Sequence, residues 1–141
     1  MPLTGHCNCN AITVTIQDEP SGNPHSTVYC HCKTCRRQSG ASGTYVIAAD
    51  ENLVSISDPN NSQKTWIDEL TDSGKPLKRQ FCGHCGCPIT SITPLMPGKI
   101  IVKMGLFDVV PKAVMECYAR NKQEWEPEFG TTKFEGAPGG K

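Results

Sequence analysis

The sequence lacks a surplus of charge of either sign and lacks any long run of apolar residues. Its 141 residues include 14 Lys and Arg and 14 Asp and Glu, so the formal net charge is zero. General nucleic-acid binders depend on many Lys and Arg contacts to phosphates, which this balance does not favour. The longest apolar stretches are short, Val46 to Ala49 for example, whereas a membrane-spanning helix needs about 20 apolar residues. We therefore expect neither nucleic acid nor a membrane as a partner.

Helical periodicity is also scarce, and alternation with a period of two predominates. Ile12, Val14 and Ile16 alternate with threonines, which is the pattern of a half-buried strand. Further short strands are predicted at 45–49, 53–56, 64–67, 89–92, 99–104 and 114–118. One helical turn is predicted after Cys35, before Gly40. The sequence therefore predicts a mainly β protein.

The length and the turn residues indicate how the chain is organised. A chain of 141 residues is one ordinary domain, and 13 Gly and 11 Pro indicate many turns. We assign residues 1–135 to a single domain. The glycine-rich residues 136–141 are predicted to form a flexible C-terminal tail.

Cysteine is the residue that the chain has in abundance. There are nine, and eight of them fall into three tight clusters. We find no secretory signal and expect a cytoplasmic protein, in which disulfides do not persist. An odd number of thiols also fits complete pairing badly. Clustered thiols in such a protein predict metal ligands.

The three clusters are Cys7-Asn-Cys9, Cys30-His-Cys-Lys-Thr-Cys35 and Cys82-Gly-His-Cys85-Gly-Cys87. A CxxC sequence brings two sulfurs within reach of one tetrahedral ion.

Eight thiols are enough for two sites of four ligands each. Joining the first cluster to Cys82 and Cys85 would tie together distant parts of the chain, which suits a structural site. The middle cluster would then form a three-thiolate site whose fourth position is open or filled by Cys87. An open position is typical of catalytic zinc. An iron–sulfur cluster is the alternative metal group, but the spacings differ from those of ferredoxins.

Four residues outside these ligand sets also carry predictions. Cys117 stands alone in a strand pattern and is predicted to be a core residue. His31, inside the middle cluster, is interpreted either as a proton carrier or as an exposed spacer. Trp66 and Trp125 are predicted to anchor the packing.

The cysteine segments resemble those of the glutathione-dependent formaldehyde-activating enzyme family. The likeness rests on residues 5–9, 30–40 and 79–86, and the ending is similar to that of small fungal members. It implies a β-tent (Mss4-like) fold, made of small twisted antiparallel sheets clamped by zinc.

The resemblance also implies two zinc ions and an activity. One zinc would be structural, held by Cys7, Cys9, Cys82 and Cys85. The other would be catalytic, held by Cys30, Cys32 and Cys35. The implied activity is that of a carbon–sulfur lyase acting on a thiol adduct, such as that of glutathione, with an aldehyde or a related small carbonyl compound.

The chain departs from the family pattern at two places. Cys87 stands where Ser or Thr is usual, and is interpreted as a fourth ligand of the second zinc, as a ligand that leaves on substrate binding, or as a buried spectator. Gly105-Leu-Phe-Asp108 replaces the usual Gly-Thr-Leu-Asp. Two other functions therefore stay open. One is a zinc-dependent lyase or isomerase of a small carbonyl metabolite without glutathione. The other is a non-catalytic binding module, since the resemblance extends to centromere protein V.

Overall fold

The computed structural model of the protein describes residues 1–138. The strands of this part of the chain are β1 (Leu3–His6), β2 (Thr13–Ile16), β3 (Ser26–Cys30), β4 (Thr44–Asp50), β5 (Val54–Ser57), β6 (Gln63–Asp68), β7 (Leu77–Cys82), β8 (Pro88–Ile92), β9 (Lys99–Lys103), β10 (Met115–Cys117) and β11 (Thr132–Lys133). The α-helix, α1, is Lys33–Ser39, and short 3₁₀ helices are Glu51–Leu53, Met104–Leu106 and Ala119–Asn121. The prediction of a mainly β protein is confirmed.

Three strands form a small antiparallel sheet in the order β1-β2-β5. In β2 the predicted alternation holds, because Val14 and Ile16 are fully buried while Thr13 and Thr15 are only half-buried. Each such buried aliphatic side chain contributes about 1.5–3 kcal/mol to folding. The small sheet is therefore held by the apolar side chains on one of its faces.

The other eight strands form a large sheet in the order β11-β10-β3-β4-β9-β8-β7-β6. Its pairings are antiparallel except around β10, which runs parallel to both β3 and β11. Successive side chains of a strand point to opposite faces. Ile47 and Val102 pack with the small sheet in one core, whereas Val46 belongs to a second core on the other face. The two cores place two different environments on the two sides of one sheet.

All seven predicted strands are present, with ends that differ by at most one residue. The strands that the pattern did not predict are β1, β3, β7 and β11. Two of these, β3 and β7, end at cysteines, and β7 carries charged residues that hide the period of two. The predicted helical turn is part of α1, which begins earlier, at Lys33, and is capped after Ser39 by Gly40 in a left-handed conformation (φ 70°).

The C-terminal segment contacts the second core. The amide of Tyr118 donates a hydrogen bond to the carbonyl oxygen of Gly136 at 2.8 Å, and Ala137 packs against the core. Residues 139–141 lie outside the described part of the chain, so the predicted division at residue 136 stays a prediction. Within residues 1–138, no helix is long and apolar enough to cross a membrane.

Candidate metal and thiol centres

The first thiol centre consists of Cys7, Cys9, Cys82 and Cys85, which we call the first quartet. Their four sulfur atoms all lie within 4.8 Å of one another. The Sγ atoms of Cys7 and Cys9 are 3.6 Å apart, and those of Cys9 and Cys82 are 3.7 Å apart. A tetrahedron with Zn–S distances of about 2.3 Å has edges of about 3.8 Å. The sulfur positions therefore fit a tetrahedral metal ion.

Two tight turns bring these sulfurs together. After β1, the amide of Asn10 donates to the carbonyl oxygen of Cys7 at 3.0 Å, with Asn10 in a left-handed conformation (φ 64°). After β7, the amide of Gly86 donates to the carbonyl oxygen of Cys82 at 2.7 Å, and a positive φ of 78° favours glycine there. The quartet thus joins the end of β1, in the small sheet, to the β7–β8 hairpin of the large sheet.

Neighbouring thiols and amides move the pKa values within the quartet in opposite directions. The Ala11 amide lowers the pKa of Cys9, but burial and the adjacent thiols outweigh it and raise the pKa to about 12. Burial raises the pKa of Cys85, but the amides of Cys87 and Cys9 and the neighbouring thiols bring it down to about 6. Only the thiolate form of cysteine binds a metal ion, and these contacts favour that form at Cys85.

Cys87 lies beside this quartet. It packs against the core that contains Cys7 and Cys82. Burial raises the pKa of Cys87, and the charges of Cys85, Cys7 and Cys82 raise it further. Cys87 therefore lies with the first quartet, and among the described residues it is not one of those that line the cavity with Cys30, Cys32 and Cys35.

The second thiol centre consists of Cys30, Cys32 and Cys35, which we call the second cluster. Cys30 is the last residue of β3, Cys32 precedes α1 and Cys35 lies in the first turn of that helix. All three line a cavity of about 230 Å³ on the face of the large sheet that bears the second core. This cluster is looser than the first, since within residues 1–138 only the first quartet has all its ligand atoms within 4.8 Å. The three thiols thus border an accessible space.

Thiol contacts raise the pKa values of the second cluster. The pKa of Cys32 is raised, and the thiol of Cys35 contributes most to this shift. The pKa of Cys35 is also raised, and there the thiol of Cys30 contributes most. The pKa of Cys30 is raised above all by the thiol of Cys117, and by burial. These thiols therefore need a cation or a metal ion to become thiolates at neutral pH.

Arg79 supplies one cation, held in place by several partners. It is fully buried, and its Nε donates to Oδ2 of Asp68 at 2.7 Å. Its Nη2 donates to Oγ1 of Thr34 at 2.8 Å and to Sγ of Cys35 at 3.4 Å. Burial would raise the pKa of Asp68, but the bond from Arg79 lowers it. Arg79 thereby fixes α1 and its thiol against the large sheet.

Lys103 supplies a second cation at the same cavity. It is only 6% exposed and lines the cavity with the second cluster. Burial and the charge of Arg79 lower the pKa of its ammonium group, and the charges of Cys35 and Cys30 offset this only in part. Within residues 1–138 its ammonium group has no ion pair with a carboxylate. An uncompensated buried cation favours an anionic group in the cavity, a thiolate or a bound ligand.

His31 is neither exposed nor part of the cavity lining. Its side chain is buried, and its Nε2 lies 2.8 Å from Oε1 of Glu116. That carboxylate also accepts a hydrogen bond from Nζ of Lys122 at 3.0 Å. The exposed-spacer interpretation of His31 was therefore wrong. The side chain instead ties the second cluster to β10 through Glu116.

The predictions for the two tryptophans and for Cys117 can also be compared with the structure. Trp66 and Trp125 are 53% and 76% exposed, so the expectation that they anchor the packing was wrong. Cys117 is buried in the second core, as predicted, but it also lines the cavity. Sequence reasoning missed Lys103 and Glu116, although a lysine ending the apolar strand β9 is a signal of a buried charge.

Comparison with known proteins identifies the family. Residues 2–127 match the sequence profile described as glutathione-dependent formaldehyde-activating enzyme. No curated protein is significantly similar in sequence. The crystal structure of a Rhodobacter sphaeroides protein, a structural genomics target, is similar to this chain with a TM-score of 0.59 and 16% identity. The similarity covers 77% of this chain and 91% of that one, and at this identity it concerns the fold alone. The chain belongs to the glutathione-dependent formaldehyde-activating enzyme family.

Proposed function

We propose that the protein is a zinc-dependent enzyme of the carbon–sulfur lyase type, which acts on a thiol adduct of an aldehyde or a related small carbonyl compound. The observation that carries this proposal is the cavity, because three thiols and two buried cations border the same space. Membership of the family supports chemistry that involves glutathione and an aldehyde.

The donor sets suggest different roles for two zinc ions. The first quartet would hold a structural zinc, since its sulfurs match a closed tetrahedron. Cys30, Cys32 and Cys35 would hold a catalytic zinc at the cavity wall. Zinc bound there would lower the pKa of a thiol or polarise a carbonyl oxygen.

The reaction needs no oxidant. The sulfur of a thiol forms a bond to the carbonyl carbon, and the thiol proton ends on the former carbonyl oxygen as a hydroxyl group. The reverse reaction breaks the same C–S bond and returns the proton to sulfur. Lys103 would favour the anionic sulfur or oxygen in both directions, because a cation stabilises negative charge that develops in a buried site.

Arg79 would act by positioning. Its donors are taken up by Asp68, Thr34, Gln38 and Cys35, so it holds α1 rather than binding a substrate carboxylate. The helix in turn fixes Cys35 relative to Cys30. A rigid arrangement of this kind keeps reacting groups at productive distances.

The size of the cavity favours a second candidate, in which a small carbonyl compound reacts without glutathione or with a smaller thiol. Drug-sized ligands occupy pockets of about 300–1,000 Å³. The cavity of about 230 Å³ is smaller than this, which suits the reacting end of a peptide thiol. A substrate without glutathione would fit entirely inside.

The test is the rate of adduct formation and breakdown, followed by exchange NMR with the zinc-loaded protein. Formaldehyde and a two-carbon aldehyde would each be paired with glutathione, with cysteamine and with no thiol. We expect acceleration with at least one thiol and at least a ~100-fold loss in Cys35→Ser, since loss of a second-shell partner alone costs about 10–100-fold. Asp108→Asn, an exposed substitution, serves as the control. No acceleration with any pair, or an unchanged rate in Cys35→Ser, would overturn the proposal.

A further inference from the structure

The lining of the cavity contains basic side chains and no acidic ones. Among the described residues that line it, Arg79, Lys99 and Lys103 are basic, and none is Asp or Glu. Asp68 balances Arg79 at 2.7 Å, and Asp50 balances Lys99 at 2.8 Å. Lys103 is 6% exposed and has no carboxylate partner in the part of the chain that the structure describes. The cavity therefore favours a ligand with a negative charge.

Ser91, on β8, adds an unsatisfied hydroxyl group to the same lining. Its side chain is 1% exposed, and within residues 1–138 its Oγ has no hydrogen-bond partner. Native proteins rarely leave a buried hydroxyl group without a partner, because burial removes its hydrogen bonds to water. An acceptor atom bound in the cavity would satisfy this group.

The strand register brings these two groups near each other on one face of the large sheet. Ser91 is directly opposite Ile101 of β9, and Lys103 lies two residues further along that strand. Side chains two positions apart in a strand share a face, and all three of these residues line the cavity. Diagonal neighbours of this kind are about 7–8 Å apart, within reach of a long side chain. A small anion between them can contact both the ammonium group and the hydroxyl group.

This position lies close to the second cluster. Ser91 is directly opposite Arg79 of β7, and Nη2 of Arg79 is 3.4 Å from Sγ of Cys35. Thiolates of the second cluster can balance the charge of Lys103, but Oγ of Ser91 has no hydrogen bond to any described sulfur atom. A carboxylate has two oxygen atoms, which can accept from both groups at once. A carboxylate bound here would belong to a short molecule, with its reacting carbon near the thiols.

We propose that Lys103 and Ser91 bind a carboxylate of the substrate, and that the carbonyl compound is a small 2-oxo acid. In such a molecule the carboxylate is bonded directly to the carbonyl carbon. The inference rests on the proposed function and leaves its reaction unchanged. The thiol sulfur still bonds to the carbonyl carbon, and the thiol proton ends on the former carbonyl oxygen. Lys103 and Ser91 orient that carbon toward the second cluster by holding the neighbouring carboxylate.

Binding is tested apart from turnover by NMR titration of the zinc-loaded full chain with pyruvate and with pyruvamide, its uncharged analogue of similar size. We expect pyruvate to bind at least about tenfold more tightly, because hydrogen bonds to a charged group are the stronger ones. Lys103→Met should remove this preference. Lys78→Met, the same change at an exposed lysine outside the lining, should keep it. Equal affinities in the wild type, or a preference that survives Lys103→Met, would overturn the carboxylate site.

Ser91→Ala distinguishes binding from a structural role. Because the hydroxyl group has no partner within the described chain, its removal should leave the midpoint of urea unfolding unchanged or raise it. The affinity for pyruvate should fall about tenfold. A lower midpoint with unchanged pyruvate affinity would show that Ser91 is structural and would contradict its role in binding.

Rates of adduct exchange separate this inference from the proposed function. Glyoxylate and acetaldehyde, both two-carbon aldehydes, would each be paired with 2-mercaptoethanol and with 3-mercaptopropionate, which carries the carboxylate on the thiol. We expect a larger acceleration for glyoxylate than for acetaldehyde with either thiol. A preference for 3-mercaptopropionate with both aldehydes alike would overturn the assignment to a 2-oxo acid. No acceleration with any pair, while pyruvate still binds through Lys103, would overturn the proposed function and support the carboxylate site alone.

Discussion

The two thiol centres lie on opposite faces of the large sheet and differ in what surrounds them. The first quartet is closed on itself and packs with the core shared by the two sheets. The second cluster borders a cavity, with buried Arg79 and Lys103 beside it. In the proposed function, the same residue type serves as a clamp on one face and as a reactive site on the other. The sheet separates the two centres, and only the second has a cavity and buried cations beside it.

The largest difference between the two centres is expected when a thiol of the first quartet is removed. Cys82→Ser should leave a chain that does not fold stably. Binding of a structural zinc is worth about 10–16 kcal/mol in small domains, which equals or exceeds the total stability of most domains. Circular dichroism and metal content measure this. Cys35→Ser, the matched change in the second cluster, should stay folded. Equal melting temperatures for the two variants would contradict the distinction.

The next effect concerns the buried ion pair behind the second cluster. Asp68→Asn should lower the free energy of unfolding by about 3 kcal/mol, because it leaves the guanidinium of Arg79 buried without its carboxylate. Urea unfolding at pH 7 measures it. Asp108→Asn, at an exposed carboxylate, should change the stability by less than about 0.5 kcal/mol.

The same pair predicts how stability depends on pH. The folded-state pKa of Asp68 is lowered, so its contribution is fully present above the unfolded value of about 3.9. It is lost as the pH falls through the lowered pKa. The stability difference between wild type and Asp68→Asn should therefore shrink below about pH 4. A difference that grows in acid would contradict the assignment.

A smaller effect is expected from Lys103→Met. Removing a buried cation in favour of an apolar side chain of similar length should leave stability unchanged or raise it by up to about 2 kcal/mol. Activity should fall about tenfold, since one pKa unit of a reacting thiol is worth about 1.4 kcal/mol. Chemical denaturation and adduct-exchange kinetics check the two parts. Reduced stability with full activity would mean that Lys103 is only a structural residue.

Spacing and period are local signals, so the sequence predicted the seven strands and the three cysteine clusters; the grouping of the first quartet joins distant residues and was implied by the family resemblance. The sequence did not predict β3 or β7; both end at cysteines, and β7 also contains charged residues that interrupt the alternating pattern. Cys117 shows the physical limit most clearly. Its neighbour Cys30 is set by the parallel pairing of β10 with β3, a long-range contact for which the sequence has no local mark. Trp66 and Trp125 were predicted to be packed but are exposed, because an aromatic side chain does not by itself indicate burial.

The most direct test of the contrast is ¹¹³Cd NMR of the cadmium-substituted protein during titration with glutathione. The account predicts two signals, both typical of sulfur ligands, of which one shifts with added thiol while the other stays in place. Cys35→Ser should remove or move the responsive signal alone. A single signal, or two signals that both ignore the thiol or both respond to it, would contradict the division into a structural and a reactive centre.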